Sequence, residues 1–223
     1  MRLWLFDIDG TLVNITHVHL AAYKNLYRDF VHCDAPTDLI LITFGMSEHD
    51  MHSFVFGKLG LKFDSGLVKK MLAAHPFYFQ KELAAAEVVP LPHAVDFLDA
   101  IKRANEPLGV VTGNLPENAR LILEKAGLSH YFDFVSTDDG GRERWQIVMH
   151  GLELARGRFD DVVVIGDTPF DIIAARRAAL ESGKKITVAV VSTGTSDYTE
   201  LKAAKPDMHF STLEDYREAF GLD

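Results

Sequence analysis

Two aspartates one residue apart, Asp7 and Asp9, interrupt the stretch "LWLFDIDGTLV" and are followed by Gly10 and Thr11. Carboxylates so spaced can act as nucleophile, proton-transfer group or metal ligand. Asp-Gly-Thr is also ordinary turn chemistry, with the aspartate bonding its own backbone and the glycine taking positive φ. Further along the chain, "GVVTGN" ends in Thr112, Gly113 and Asn114, a hydroxyl and turn amides suited to an anionic oxygen. "DDGGRER" brings Arg142 and Arg144 just ahead of a helical pattern, and "VVVIGDTPFD" ends in Asp167 and, four residues on, Asp171. Three carboxylates meeting at one place repel one another unless a cation lies among them. Magnesium suits such a set, because it prefers hard oxygen ligands and keeps several waters for a phosphate to replace. A hydroxyl, amides and a guanidinium around a phosphoryl group supply the electrostatic stabilisation that phosphoryl transfer chiefly needs.

These groups can converge only if one element type delivers them all. Leu3 to Phe6 is an unbroken apolar run, the pattern of a parallel strand buried on both faces. From about Leu91 onward, helix and strand alternate: "HAVDFLDAIKRAN" is helical, "LGVVTGN" a strand, "ENARLILEKAGL" a helix and "YFDFVSTDD" strand-like. "RWQIVMHGLELARG" is helical again, "DVVVIGD" a buried strand, "FDIIAARRAALESG" a helix and "KITVAVVSTG" a further strand. The expectation is an α/β fold with a doubly wound, Rossmann-like parallel sheet, whose C-terminal strand ends all open on one edge.

Residues 14–88 break this rhythm. "HVHLAAYKNLYRDF", "SEHDMHSFVFGKLG" and "LVKKMLAAHPFYFQKELAAA" are helical patterns with no strand between them. They predict a helical cap inserted over the sheet edge, the α/β core comprising residues 1–13 and 89–223. Pro90 and Pro92, in "VPLPHA", mark the hinge of re-entry.

Composition narrows the functional classes. The 223 residues are 48% hydrophobic, enough for one substantial core with an insertion. A net charge of -9 disfavours nucleic acid and anionic membranes as partners, since both need clustered Lys and Arg. One cysteine, Cys33, excludes an internal disulfide framework and a cysteine metal cluster, and fits a reducing compartment. With a strand starting right after Met1 and no apolar run of membrane length, the expected location is the cytoplasm. His17, His19, His49 and His52 have spacings open to zinc, but no carboxylate or cysteine completes a set. His17 and Tyr23 are the cap residues expected to look into the site.

In order and spacing, "FDIDGTLV", "VVTGN", a basic residue at about Arg144 and "GDTPFD" resemble the motifs of the haloacid dehalogenase superfamily. The similarity is to its phosphatase branch with a helical cap, as in phosphoglycolate phosphatases and β-phosphoglucomutases. The core resemblance covers residues 1–13 and about 89–223. It implies a Mg²⁺-dependent phosphatase acting on a small phosphorylated metabolite through an aspartyl phosphate. Asp7 would be nucleophile and metal ligand, and Asp9 would be the proton-transfer group, lending its carbonyl to the metal. Thr112, Gly113, Asn114 and Arg144 would bind phosphate; Asp167 would hold the metal, and Asp171 would support it or orient the basic residue. The family usually places a lysine before the third helix, whereas no lysine lies between Lys125 and Lys184. Arginine must stand in, and the helix start favours Arg144 over Arg142. The same core also serves phosphomutases, phosphonate hydrolases, which need a cap lysine near Lys24, and non-catalytic binding proteins. Asp9 argues against a dehalogenase, which has no phosphate ester leaving group to protonate. Monomer and homodimer are both compatible with the sequence.

Overall fold

The computed structural model describes residues 1–139, 141–157 and 159–222, without the side chain of Arg217. Six parallel strands form one sheet: β1 (Arg2–Phe6), β2 (Leu108–Val111), β3 (Phe134–Ser136), β4 (Asp161–Gly166), β5 (Ile186–Val191) and β6 (Met208–Phe210). Their spatial order is β3-β2-β1-β4-β5-β6, so the chain order reverses beside β1. At such a switch point the neighbouring connections leave in opposite directions and open a crevice at the strand ends. Asp7 follows β1 and Asp167 follows β4, the two strands that meet there.

The apolar runs are buried on both faces, as parallel pairing between helical layers requires. Trp4, Phe6, Val110, Val163 and Ile165 face one layer, with α5 (Ala94–Arg103), α6 (Pro116–Lys125) and α10 (Glu214–Phe220). Leu3, Leu5, Val111, Val162 and Val164 face the other, against α7 (Arg144–Leu154) and α8 (Pro169–Ser182). A short helix, α9 (Tyr198–Ala203), links β5 to β6. β6 and the last two helices lie beyond the elements read from the sequence. β6 is three half-buried residues, too short to show a period.

Between Asn14 and Val88 the described residues form four helices and no strand: α1 (Thr16–Val31), α2 (Thr37–Leu41), α3 (Glu48–Lys58) and α4 (Ser65–Ala85). Tyr27, Ile40, Met51, Val55, Phe56 and Met71 make a hydrophobic cluster of their own. The inner ends of α1 and α4, at Val18, Ala22, Phe79 and Leu83, join the core cluster above the sheet. The two connecting strands of chain touch. Val13 bridges Pro90, and Leu91 N–H donates to Leu12 C=O at 2.7 Å. Among the described residues, no helix is long and apolar enough to cross a membrane.

Phe97 is the packing hub of the core layer on α5. It is fully buried, edge-on to Trp4 at 5.4 Å and Phe6 at 5.9 Å, and stacked on Tyr216 at 6.0 Å. Phe97→Ala therefore removes a ring that the sheet and two helices share, and chemical denaturation should show a loss of about 3–5 kcal/mol. A loss below ~1 kcal/mol would mean that the cluster re-forms around the vacancy.

Candidate active site

β1 ends at Phe6, and the chain turns back on itself at once. Gly10, Thr11, Leu12 and Val13 form a tight hydrogen-bonded loop with Ile8, and Gly10 adopts φ +74°. A Cβ at Gly10 would lie 2.2 Å from Asp167 Oδ2, so only glycine lets the β1 loop press against the end of β4. Gly194, from the loop after β5, packs against the same carboxylate oxygen. Thr193 Oγ1 donates to Gly10 C=O, joining the β1 and β5 loops.

Asp7, Asp9, Thr112, Gly113, Asn114, Arg144 and Asp167 all line one pocket at this edge. Arg144 is the first residue of α7, whose start is held by a reciprocal hydrogen-bonded cap between Glu143 and Gln146. Its Nη2 lies 2.8 Å from Asp7 Oδ1 and donates to Asp171 Oδ1 at 2.6 Å. Arg142 turns away to Asp139, at 3.1 Å, and to the Thr137 carbonyl. Asp171 serves two ends at once. Its Oδ1 receives Arg144, while Oδ2 receives the N–H and hydroxyl of Thr168 and the N–H of Asp167, capping α8. Thr112 Oγ1 accepts from the Asn114 amide nitrogen Nδ2 at 3.0 Å, and the same Nδ2 donates to Asp9 Oδ2 at 2.6 Å.

The other oxygen of Asp9 meets the helical segment of residues 14–88. His19 Nε2, on α1, is 3.2 Å from Asp9 Oδ1. The sequence pointed to His17 and Tyr23 as the cap residues facing the site. The structure keeps Tyr23 there but replaces His17, which is exposed, with His19. Helical spacing carries the signal: His19 and Tyr23 are four apart and share a face, whereas His17 is six residues from Tyr23. The histidines do not gather as zinc ligands. His52 bonds Tyr27, His49 lies beside Asp50, and His19 faces Asp9. Sequence reasoning also missed Thr43, Phe44, Gly45, Met46, Glu48 and Met51 from the α2–α3 region, along with Gly194 and Thr195, all of which line the pocket. None of these carried a recognisable local pattern.

The electrostatics are set by burial. Asp7, Asp167 and Asp171 each offer an oxygen within 4.8 Å of the others, and all three are buried. Burial raises Asp7, repulsion from Asp171 and Asp9 adds to it, and Arg144 opposes, leaving its pKa near 7. Asp167 is pushed well above the usual carboxylate range by burial and by Asp171, Asp7 and Asp9. Asp9 behaves differently: burial raises it, but the His19 imidazole and the Asn114 hydrogen bond outweigh that and hold it below its ordinary value. Burial lowers His19, yet its contact with Asp9 prevails and raises it, so the proton of this pair resides on the imidazole. Asp167 Oδ1 is buried with no hydrogen-bond donor. An acidic triad with an oxygen so exposed to repulsion fits a hard divalent cation, and Asp7 and Asp167 are the members turned toward the pocket.

A parallel sheet of this order, a carboxylate pair after its first strand and an acidic cluster at its switch point define a class of α/β hydrolytic enzyme. The haloacid dehalogenase-like hydrolase family matches residues 4–185, and the chain belongs to that family. Among curated relatives, a phosphoglycolate phosphatase of Aquifex aeolicus is 27% identical over 225 residues, spanning 96% of this chain and 94% of its own length. The pyrophosphatase PpaX of Bacillus cereus is 23% identical over 214 residues, covering 95% and 92%. In fold, the chain is similar to a hydrolase from Pseudomonas syringae, with a TM-score of 0.84 at 21% identity, covering 99% of this chain and 98% of that one.

Arg144 holds Asp7 and Asp171 apart as a cation and also lies 2.8 Å from where a Gly113 side chain would begin. Arg144→Lys keeps the charge and should retain activity on an activated phosphomonoester within about tenfold. Arg144→Met should lose at least ~100-fold, since it removes the one guanidinium from the acidic cluster. Equal rates for the two variants would exclude a role for charge at this position.

Proposed function

We propose that the chain is a Mg²⁺-dependent phosphatase that hydrolyses a small phosphorylated metabolite through an aspartyl phosphate on Asp7. The observation that carries the reading is the division of labour between Asp7 and Asp9. Asp7 lies against the guanidinium and the acidic cluster, while Asp9 Oδ1 faces the His19 imidazole, whose proton affinity that contact raises. One carboxylate is thereby placed for attack and the other for proton transfer.

Asp7 and Asp167 would hold the metal with their carboxylates and Asp9 with its main-chain carbonyl. Bound there, Mg²⁺ would offset the repulsion among the buried carboxylates and neutralise charge on the phosphoryl group. Asp171 acts through Arg144, which it fixes by the 2.6 Å hydrogen bond, and so supports the site from behind. Thr112, the Gly113 amide, Asn114 and Arg144 would orient the phosphoryl oxygens. An ionised Asp7 oxygen attacks phosphorus, and the bond to the ester oxygen breaks. The His19–Asp9 pair carries one exchangeable proton, which goes to the departing oxygen. The pair, now one proton poorer, accepts a proton from water as that water attacks phosphorus. The acyl phosphate bond then breaks, releasing inorganic phosphate and restoring Asp7.

Residues 14–88 form a cap in this reading, closing the pocket from above through α1 and the α2–α3 segment, which favours a small substrate over a phosphoprotein. The phosphonate hydrolase alternative loses its nucleophile, because Lys24 Nζ donates to Thr37 Oγ1 and lies outside the pocket lining. The negative charge and the site chemistry support a partner that is a metabolite rather than a nucleic acid, in a cytoplasmic setting.

Two measurements test the assignment. Asp7→Asn should abolish p-nitrophenyl phosphate hydrolysis while leaving the circular dichroism spectrum unchanged, and EDTA should silence the wild-type enzyme until Mg²⁺ is restored. Turnover by folded Asp7→Asn, or full activity in chelator, would overturn it. For Asp9→Asn, proton delivery worth roughly 10²–10⁴-fold is lost, so the loss should be larger for an alkyl phosphate than for p-nitrophenyl phosphate. Equal losses on both substrates would reduce Asp9 to a positioning role.

A further inference from the structure

Part of the pocket wall comes from residues 14–88, and among the described residues its one anionic side chain is Glu48, the first residue of α3. Glu48 is 5% exposed. Its Oε1 accepts from the Tyr23 hydroxyl at 2.6 Å, and its main-chain N–H donates to Asp138 Oδ2 at 3.0 Å, which ties the start of α3 to the loop after β3. Its Oε2 has no hydrogen-bond donor. His52 Nε2 is 3.9 Å away, beyond hydrogen-bond reach, and burial drives that imidazole to a pKa near 4, so it is neutral. Burial, with Asp138 adding to it, raises the Glu48 carboxyl to about 7 against the Tyr23 hydrogen bond and His19, and a ligand that brings a donor to Oε2 favours the ionised form and recovers the cost of the unsatisfied acceptor.

The charges on the rest of the lining point the same way. Among the described residues that line the pocket, Arg144 is the only Lys or Arg, and it is engaged by Asp7 and Asp171. The imidazole of His19 is engaged by Asp9. Beside Glu48 the wall is Thr43, Phe44, Met46 and Met51, a hydroxyl and apolar side chains. A second anionic group on the substrate would find no unengaged cation near it and would oppose the ionised form of Glu48 in a desolvated place, whereas a hydrogen-bond donor favours that form.

Resting on the phosphatase reading above, we infer that Glu48 selects the leaving group: the substrate is a phosphomonoester whose alcohol carries a further hydroxyl or amino hydrogen-bond donor and no carboxylate or second phosphate. Glu48 Oε2 accepts from that donor, and Tyr23, through its hydroxyl, holds the carboxylate in place. This sets the chain apart in chemistry from the relatives named for phosphoglycolate and pyrophosphate, whose named substrates carry a second anionic group.

The test is a comparison of kcat/KM for glycerol phosphate, phosphoethanolamine, phosphoglycolate and pyrophosphate, with p-nitrophenyl phosphate as reference, in the Mg²⁺-loaded wild type and in Glu48→Gln and Glu48→Arg. The wild type should favour glycerol phosphate or phosphoethanolamine over phosphoglycolate and pyrophosphate by roughly tenfold or more. Which of the two leads distinguishes a hydroxyl donor from an ammonium donor. Glu48→Gln should shrink that preference, and Glu48→Arg should turn it toward phosphoglycolate. Each preference is a ratio taken on one protein sample, so partial misfolding of a variant cancels. Hydrolysis of p-nitrophenyl phosphate with phosphoglycolate or pyrophosphate preferred in the wild type, or with ratios unmoved by both substitutions, would overturn the Glu48 inference and leave the phosphatase reading standing. Failure to hydrolyse any of the five would overturn both.

Discussion

Everything at the sheet edge answers to one constraint: three carboxylates, Asp7, Asp167 and Asp171, are buried within 4.8 Å of one another. Removing such groups from water is expensive, and crowding them adds repulsion. Arg144 offsets part of this by contacting Asp7 and Asp171 with one nitrogen. Thr168 and the main chain of α8 offset another part, since they consume the second oxygen of Asp171. Asp167, against which Gly10 and Gly194 both pack, has an oxygen with no hydrogen-bond donor and is pushed well above the usual carboxylate range. The loops that carry these glycines are short and tightly bonded because the arrangement leaves no room for a side chain.

The same constraint accounts for the contrast between the two acids of the first loop. They are two residues apart, yet their environments drive them in opposite directions. Asp7 shares its surroundings with other carboxylates and is raised, whereas Asp9 accepts from Asn114, faces an imidazole and is lowered. In the proposed mechanism, environments that separate the proton affinities of neighbouring acids would let one be the attacking group while the other manages protons.

The helical segment of residues 14–88 contributes more than its own small core. Its inner face is lined by polar groups that have left water: His19, Tyr23, Glu48, His52 and His75 are all buried. Tyr23 stacks on His75 at 4.6 Å while its hydroxyl reaches Glu48, and Tyr27 bonds His52. Burial keeps His52 and His75 neutral, so they lend Glu48 no cation from behind, and burial raises Glu48 itself to about 7. The Asp138 contact to the start of α3 makes the position of Glu48 depend on the core, not on the cap alone.

The alternation of helix and strand, the burial of β1 on both faces and the polar character of the strand ends were all legible in the sequence, because each depends on residues close together in the chain. Apolar run length reports a strand between two layers, and parallel strands carry their terminal residues to a common edge, so Asp7, Thr112, Arg144 and Asp167 could be expected together before any coordinate was known. The preference for Arg144 over Arg142 came from its place at the start of a helical pattern, and in the structure Arg142 contacts Asp139 while Arg144 contacts Asp7 and Asp171. Tertiary structure alone decided which cap residues meet that edge. That His19 rather than His17 reaches Asp9, that Glu48 is sealed into the pocket wall, and that the loop at Thr193–Thr195 closes on Gly10 depend on how α1, α3 and the β5 loop dock, through contacts between residues far apart in the chain. Local periodicity determines the face a helix buries; the rotation and height at which it packs on a distant loop are fixed by the sum of side-chain contacts across the interface, which no short stretch of sequence contains.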